Sequence, residues 1–199
     1  MQTMVNVQGT KNMVSVAQKK GIKTFIHTSS ISAWGPVSGI IDESIPQLGG
    51  KSWINYERTK WLGEKEALKG MKQGRKVVIL NPGDIIGPYD QTSWGTIFFL
   101  LKMNKLLGIP PGYGNFIHVD QVAKANLSAV INGRNGENYL LGGISDSMYN
   151  FVHEFAQLLG VKTPRLMPAL VIKMMAKLSN FTSKFTGIQP AITPELAEI

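Results

Sequence analysis

The 199-residue sequence contains no cysteine, which excludes a disulfide framework, a thiolate metal site and a thiol nucleophile together. The redox compartment is left open by that absence. Long hydrophobic runs are missing as well. Stretches such as Ile97-Phe98-Phe99-Leu100-Leu101 fall far short of the roughly 18 residues that cross a bilayer. The opening MQTMVNVQGT has no basic segment followed by an apolar one, so it does not read as a secretory signal. Acidic residues are scarce, 13 Asp and Glu against 21 Lys and Arg, for a net charge of +8. This bias suits a nucleotide phosphate, a nucleic acid or an acidic membrane face without choosing among them. What is present, 43% apolar and 17% charged side chains, is enough for one ordinary core and argues against disorder. A soluble, cytoplasmic protein is the default expectation.

Periodicity and punctuation give a coarse element order. Residues 3 to 20 read as a helix with Thr3 as a cap, Val5, Met13 and Val16 on one face, and Gly21 as a left-handed stop. Lys23 to Ser29 reads as a strand ending in Thr28-Ser29-Ser30. Residues 31 to 54 read as a long loop, and a charged helix follows over about 55 to 72. Val77 to Leu80 is an unbroken apolar run bounded by Gly74 and Pro82, the pattern of a strand buried on both faces of a parallel sheet. This alternation is the rhythm of an α/β fold. Further on come a Gly/Pro loop, an apolar helix near 94 to 105, the strand Phe116 to Val119, a helix from Asp120 to Asn132 and the strand Asn138 to Leu141. Met148, Phe151, Val152, Phe155, Leu158 and Leu159 then recur at helical spacing, with Ser145 or Ser147 as cap and Gly160 as stop. A last helix near 168 to 186 carries Lys173, Lys177 and Lys184. It reads as a helix whose lysines face water rather than as a membrane-surface anchor.

Several short motifs fail on inspection. Gly49-Gly50-Lys51-Ser52 ends like a phosphate-binding loop, but Ile45 stands where the first glycine belongs and no apolar strand leads in. Gly112-Tyr113-Gly114 begins a dinucleotide fingerprint, but Ile117 occupies the third glycine position and a strand follows where a helix should. His27, His118 and His153 have no carboxylate at ligand spacing, so no metal is expected and each reads as a structural or surface histidine. No Gly-x-Ser-x-Gly elbow is present.

Tyr56 and Lys60 differ in kind. Four apart on a helix they share a face, and an ammonium a few ångströms from a phenol favours the phenolate, lowering a pKa of about 10 towards neutrality. By itself this spacing also fits a solvated helix face. The context is Ser29-Ser30 at a strand end upstream, with Asn6 on the preceding helix. A serine hydroxyl holds a substrate oxygen while the tyrosine gives or takes its proton, which is carbonyl/alcohol chemistry.

At this point the sequence resembles the extended short-chain dehydrogenase/reductases, the NAD-dependent epimerase/dehydratase superfamily. It looks most like the dihydroflavonol-reductase-like and hopanoid-associated sugar-epimerase-like branch. Asn6-Val7-Gln8-Gly9-Thr10-Lys11-Asn12 resembles the family's Asn-Val-x-Gly-Thr-x-Asn helix. Phe25-Ile26-His27-Thr28-Ser29-Ser30 is similar to its strand ending in Thr-Ser-Ser. Tyr56-Glu57-Arg58-Thr59-Lys60, with Glu64 one turn on, resembles its Tyr-x-x-x-Lys helix. Asn81-Pro82-Gly83-Asp84-Ile85-Ile86-Gly87-Pro88 is similar to the Arg-Pro-Gly-x-x-x-Gly-Pro segment, and Phe116 to Ala123 to the Phe-Ile-His-Val-Asp-Asp-Val-Ala box. Tyr139-Leu140-Leu141-Gly142-Gly143 resembles the strand that follows.

The resemblance implies a Rossmann-like doubly wound parallel sheet, with N-terminal strands missing, and a small C-terminal substrate lobe. Residues 1–88 would be the C-terminal half of the cofactor domain and 89–199 mainly the lobe, with 116–143 returning to the sheet. It implies Ser30, Tyr56, Lys60 and Asn6 as the catalytic set, with Lys60 also bonding the nicotinamide ribose. Thr28, Pro82 and Ile85, with Tyr56 and Lys60, become neighbours of NAD or NADP, and Ser30 and Asp84 neighbours of substrate. The implied partner is a hydroxylated or carbonyl small molecule, sugar-like or isoprenoid-like, and a homodimer is implied by analogy. Neither nucleic acid nor membrane association is expected. A bland role stands beside several of these: Asn6 bonding helix backbone, Asp120 as an N-cap, Pro82 and Gly83 as a turn. A non-catalytic cofactor-sensing or interaction module of the same fold is the alternative reading.

Three departures from the pattern matter. Asn81 stands where many members have Arg, Gln121 replaces the second Asp of its box, and Asp84 would repel an anionic sugar nucleotide. The Gly-x-x-Gly-x-x-Gly turn that meets the pyrophosphate is absent, so the chain reads as a fragment of a protein of about 300 residues or more, inactive by itself. Titrating the 199-residue chain with nicotinamide dinucleotide should therefore give no saturable binding by calorimetry. A tight, saturable isotherm would contradict this account of the cofactor site.

Overall fold

In the computed structural model, residues 1–172 and 174 are described. They form two compact units, the first from Met1–Gly87 and Phe116–Gly143, the second from Pro88–Asn115 and the described residues from Ile144 on.

The first unit is built on a parallel sheet of β1 (Thr24–Thr28), β2 (Lys76–Pro82) and β5 (Asn138–Leu141), with β2 in the centre. The central position follows from composition. Val77, Val78, Ile79 and Leu80 are all 2% exposed or less, as a strand covered on both faces requires. Val78 and Leu80 point to one face, where they meet Ala125 and Ala129 of α4 (Val119–Asn132) and Tyr139 and Leu141 of β5. The opposite face is covered by α2 (Asn55–Leu68). This helix buries Thr59, Gly63, Glu64 and Ala67, a stripe at helical spacing. A further parallel pair, β3 (Asp84–Ile86) with the end of β4 (Tyr113–His118), follows directly on β2. Its three residues fall where the Gly/Pro loop was expected.

The first helix departs from its sequence reading. Met4–Gly9 is wound as a π-helix, and α1 (Thr10–Lys19) follows as a regular helix that Gly21 ends at φ +65°. Thr3 makes no side-chain cap. The wider π turn displaces the face deduced from a regular period. Val5, Met13 and Val16 are exposed, whereas Thr10, Val14 and Ala17 pack inward. Asp120 is not the cap of α4. His118 takes that place, its Nδ1 accepting from the backbone N–H of Asp120 at 3.2 Å. The stretch 31 to 54 is a packed connection with two 3₁₀ turns, Ile31–Trp34 and Gly49–Lys51. Trp34 is buried and donates from Nε1 to the Ile45 carbonyl at 3.0 Å. Gly49 and Gly50 let this connection lie against Trp61, since a Cβ on either would meet its side chain within 3.1 Å. The phosphate-loop look-alike is thus a packing element.

The second unit contains α3 (Gly95–Lys102), β6 (Ile144–Ser147), which flanks β4, and α5 (Met148–Leu159). Edge-on ring pairs join α3 to α5, Trp94 with Phe151 at 5.8 Å and Phe98 with Phe155 at 5.9 Å. The α5 boundaries fall where sequence signals put them. Ser147 Oγ accepts from Asn150 N at 3.0 Å and Gly160 ends the helix at φ +66°. Leu158, counted among the apolar stripe, faces out. Residues 169 to 172 and 174 are helical, whereas Lys173, Lys177 and Lys184 lie outside the described residues. Among the described residues no helix is long and apolar enough to cross a membrane.

Ile79 lies at the centre of the buried strand and contacts no water. Ile79→Ala should destabilise the chain by about 3 kcal/mol in denaturant unfolding, through lost apolar burial and a residual cavity.

Candidate active site

The carboxyl end of β1 meets the first two turns of α2 where Lys60 reaches the Ser29 carbonyl. β1 ends at Thr28, and Ser29 and Ser30 are both buried beyond it. Ser30 is extended and caps the following 3₁₀ turn, its Oγ accepting from Ser32 N at 3.2 Å. Ser29 Oγ is buried with no hydrogen-bond partner. Tyr56 and Lys60 sit one turn apart on α2, and the Lys60 ammonium lies 5.5 Å from the Tyr56 ring centroid. The same ammonium donates to the Ser29 carbonyl at 3.4 Å. The Tyr56 ring and the strand end therefore share one cation.

Asn6 reaches this helix from the π turn. Its Nδ2 donates to Thr59 Oγ1 at 3.0 Å, and Thr59 Oγ1 donates to the Tyr56 carbonyl at 3.1 Å. The Asn6 carbonyl accepts from Thr10 Oγ1 at 2.7 Å. Gly63 makes this approach feasible, since a Cβ there would stand 2.7 Å from the Asn6 carbonyl oxygen. Thr28 donates from Oγ1 to Asn126 Oδ1 at 2.9 Å. Pro82 closes β2, and Asp84 and Ile85 lie on β3, both half-buried. These positions place Thr28, Ser29 and Pro82 at the carboxyl ends of parallel strands, where open α/β sheets receive ligands.

Two groups take a character that their positions in the sequence do not give. One is a carboxyl group with no access to water, Glu64. It accepts from Gln47 Nε2 at 2.7 Å, Asn81 Nδ2 at 2.5 Å and Asn138 Nδ2 at 3.0 Å. Asn81 also donates to the Ser30 carbonyl at 3.0 Å and accepts from Asn138 Nδ2 at 2.9 Å. A polar residue ending the otherwise apolar run of β2 was the available signal. The other is His27, which burial, and secondarily the Lys60 charge, hold well below its ordinary value, at a pKa of about 4. His118 and His153 act locally, the first as a helix cap and the second beside Thr163 and Gln157. Among the described residues no cluster of His, Asp and Glu could hold a metal ion.

The order of these elements has a counterpart in known proteins. Residues 2–142 match the pattern of the NAD dependent epimerase/dehydratase family. The chain belongs to that family. It is 28% identical over 180 residues to sterol demethylase protein B of Methylococcus capsulatus, covering 88% of this chain and 55% of that protein. It is 27% identical over 201 residues to an Escherichia coli O157:H7 N-acetyl-alpha-D-glucosaminyl-diphospho-ditrans,octacis-undecaprenol 4-epimerase, covering 95% of this chain and 59% of the relative. The crystal structure of gox2253 superposes with a TM-score of 0.79 at 28% identity, over 98% of this chain and 61% of that one. The fold also matches a dTDP-glucose 4,6-dehydratase of Streptomyces venezuelae solved with NAD bound, at a TM-score of 0.73 and 22% identity, over 83% of this chain and 54% of that one. The chain spans about half the length of the curated relatives it matches. These comparisons establish an α/β Rossmann-like fold and membership of an NAD-dependent enzyme family.

His27 gives the site a pH signature. With 6.5 as the unfolded value and about 4 folded, only the unfolded chain takes up a proton between those limits. Stability should be unaffected by His27 above pH 6.5 and fall as pH drops towards 4, by on the order of 3 kcal/mol in full. In denaturant unfolding across this range, His27→Asn should remove that component of the slope.

Proposed function

We propose that this chain carries the acid/base half of an NAD(P)-dependent oxidoreductase or epimerase acting on a secondary alcohol or ketone. The observation that supports it most is the Lys60 ammonium, shared between the Tyr56 ring and the strand end at Ser29 and Ser30. In this reading Tyr56 removes the hydroxyl proton of an alcohol, or returns it to a ketone. Lys60 favours the phenolate by its positive charge, and Ser30 Oγ orients the substrate oxygen. Asn6 holds the helix through Thr59.

The residues present fit a nicotinamide nucleotide. Lys60 makes one long hydrogen bond to protein, at 3.4 Å, leaving donors for ribose hydroxyls, and the Ser29 hydroxyl is buried without a partner. Thr28, Pro82 and Ile85 would flank the nicotinamide end. A bound nicotinamide supplies the acceptor or donor of the hydride. Ser30 and Asp84 would face a hydroxylated or carbonyl substrate. The names of two relatives, a sterol demethylase protein and an undecaprenol-linked epimerase, favour one with an isoprenoid-derived portion.

Tyr56→Phe separates this reading from a non-catalytic module of the same fold. It should be assayed in a chain long enough to include the glycine-rich pyrophosphate turn. Turnover should fall about a hundredfold or more while nicotinamide affinity measured by fluorescence stays unchanged. A parent chain that binds nucleotide and shows no hydride transfer to any alcohol or ketone would favour the module.

A further inference from the structure

The second unit contains a cavity of about 290 Å³ that plays no part in the hydride-transfer reading. One wall is the turn after α3, where Asn104 takes a left-handed conformation and sends Leu106 and Leu107 back past Leu101. The other wall is Lys162–Arg165. The two walls are fixed to each other by backbone bonds. Ile109 N donates to the Arg165 carbonyl at 3.0 Å, and Met167 N donates to the Ile109 carbonyl at 2.8 Å. Gly108 permits this spacing, because a Cβ there would come within 2.7 Å of the Met167 side chain. Ile109, at this isolated bridge, is fully buried. Thr163 is anchored to His153 Nδ1 at 2.8 Å. The walls are therefore preformed rather than assembled by a ligand.

Their chemistry is divided. Leu101, Leu106 and Leu107 contribute aliphatic surface, and Leu107 is 78% exposed. Lys162 and Arg165 contribute positive charge, and neither has an ion-pair partner among the described residues. The sequence withholds any counter-charge from both walls, with no Asp or Glu between Asp90 and Asp120 or between Glu154 and Glu195. A neutral apolar molecule would desolvate two cations without return, and a bare anion would leave the leucines in water. A guanidinium fork beside an aliphatic wall suits a ligand that has both parts.

We propose that this cavity binds an amphiphile with an anionic head, phosphate or carboxylate, on a single aliphatic chain. The head lies between Lys162 and Arg165 and the chain lies on Leu101, Leu106 and Leu107. This site is independent of the reading given to Tyr56 and Lys60, and its test needs no cofactor or turnover.

The probe is decyl phosphate, titrated into the 199-residue chain below its micelle concentration by calorimetry, with decanol and inorganic phosphate alongside. Saturable one-to-one binding is expected for decyl phosphate, with neither half-ligand approaching its affinity. Arg165→Gln should weaken it about tenfold to a hundredfold, the loss of one charge-assisted hydrogen bond. Leu107→Asn should weaken it separately, and Lys19→Gln, on α1, should leave it unchanged. Non-saturating uptake, equal affinity in wild type and Arg165→Gln, or inorganic phosphate binding as well as decyl phosphate would overturn the proposal. So would sedimentation with phosphatidic acid vesicles in the absence of decyl phosphate binding, which would mark a surface and not a pocket.

Discussion

A carboxyl group sealed from water must find donors inside the protein, and the first unit is organised around meeting that demand for Glu64. The donors come from three separate stretches of chain, Gln47 in the packed connection, Asn81 on β2 and Asn138 on β5. Satisfying it pins α2 against the sheet at one rotation and one height. Lys60 and Tyr56 lie one and two turns earlier on that helix, so their reach towards β1 is set by the same pin. Asn81 extends the arrangement by also holding the Ser30 carbonyl. One amide thus fixes the serine and, through Glu64, the helix of the tyrosine and lysine.

Asn81 also stands where the family resemblance implies an arginine. A guanidinium would offer a full charge to the carboxyl, but it has no acceptor atom. The carboxamide donates to Glu64 and Ser30 and accepts from Asn138, so it closes a loop of bonds that an arginine would leave open. It also avoids taking a guanidinium charge out of water, whose cost can exceed the attraction gained. Amides on three sides are a different solution to burying Glu64, not a weakened one.

What the sequence discloses depends on how local the governing force is. Strand β2 was legible because four consecutive apolar residues between Gly74 and Pro82 fit one environment. Helix α5 was legible because cap, stripe and stop agree within one segment. Tyr56 and Lys60 were legible because a four-residue spacing fixes a shared face whatever else the chain does. The readings that failed depend on something outside the segment. The inward face of α1 turns on a π winding that no period of 3.6 anticipates, and the α4 cap turns on His118 displacing a better-known capping residue one turn position away. The Glu64 network was hidden because its partners lie 17 to 74 residues from Glu64, and each alone resembles an ordinary surface amide.

The same dependence on distance governs the surroundings of Lys60. Its charge is useful to a phenol only if nothing nearer neutralises it, and among the described residues no carboxylate pairs with it. Glu64, one turn on, is occupied by amides on the sheet side, while Glu57, three residues before Lys60 on the same helix, has one carboxyl oxygen buried without a hydrogen-bond partner. His27, next to Lys60, is kept neutral through the physiological range, so it neither repels the ammonium nor shares its proton. Among the described residues the acceptor Lys60 finds is the Ser29 carbonyl, a dipole rather than a charge. The Lys60 ammonium thus has a tyrosine ring and a backbone carbonyl as its near neighbours, with Glu64 bonded to amides and His27 uncharged, so its field falls mainly on the Tyr56 ring and the end of β1.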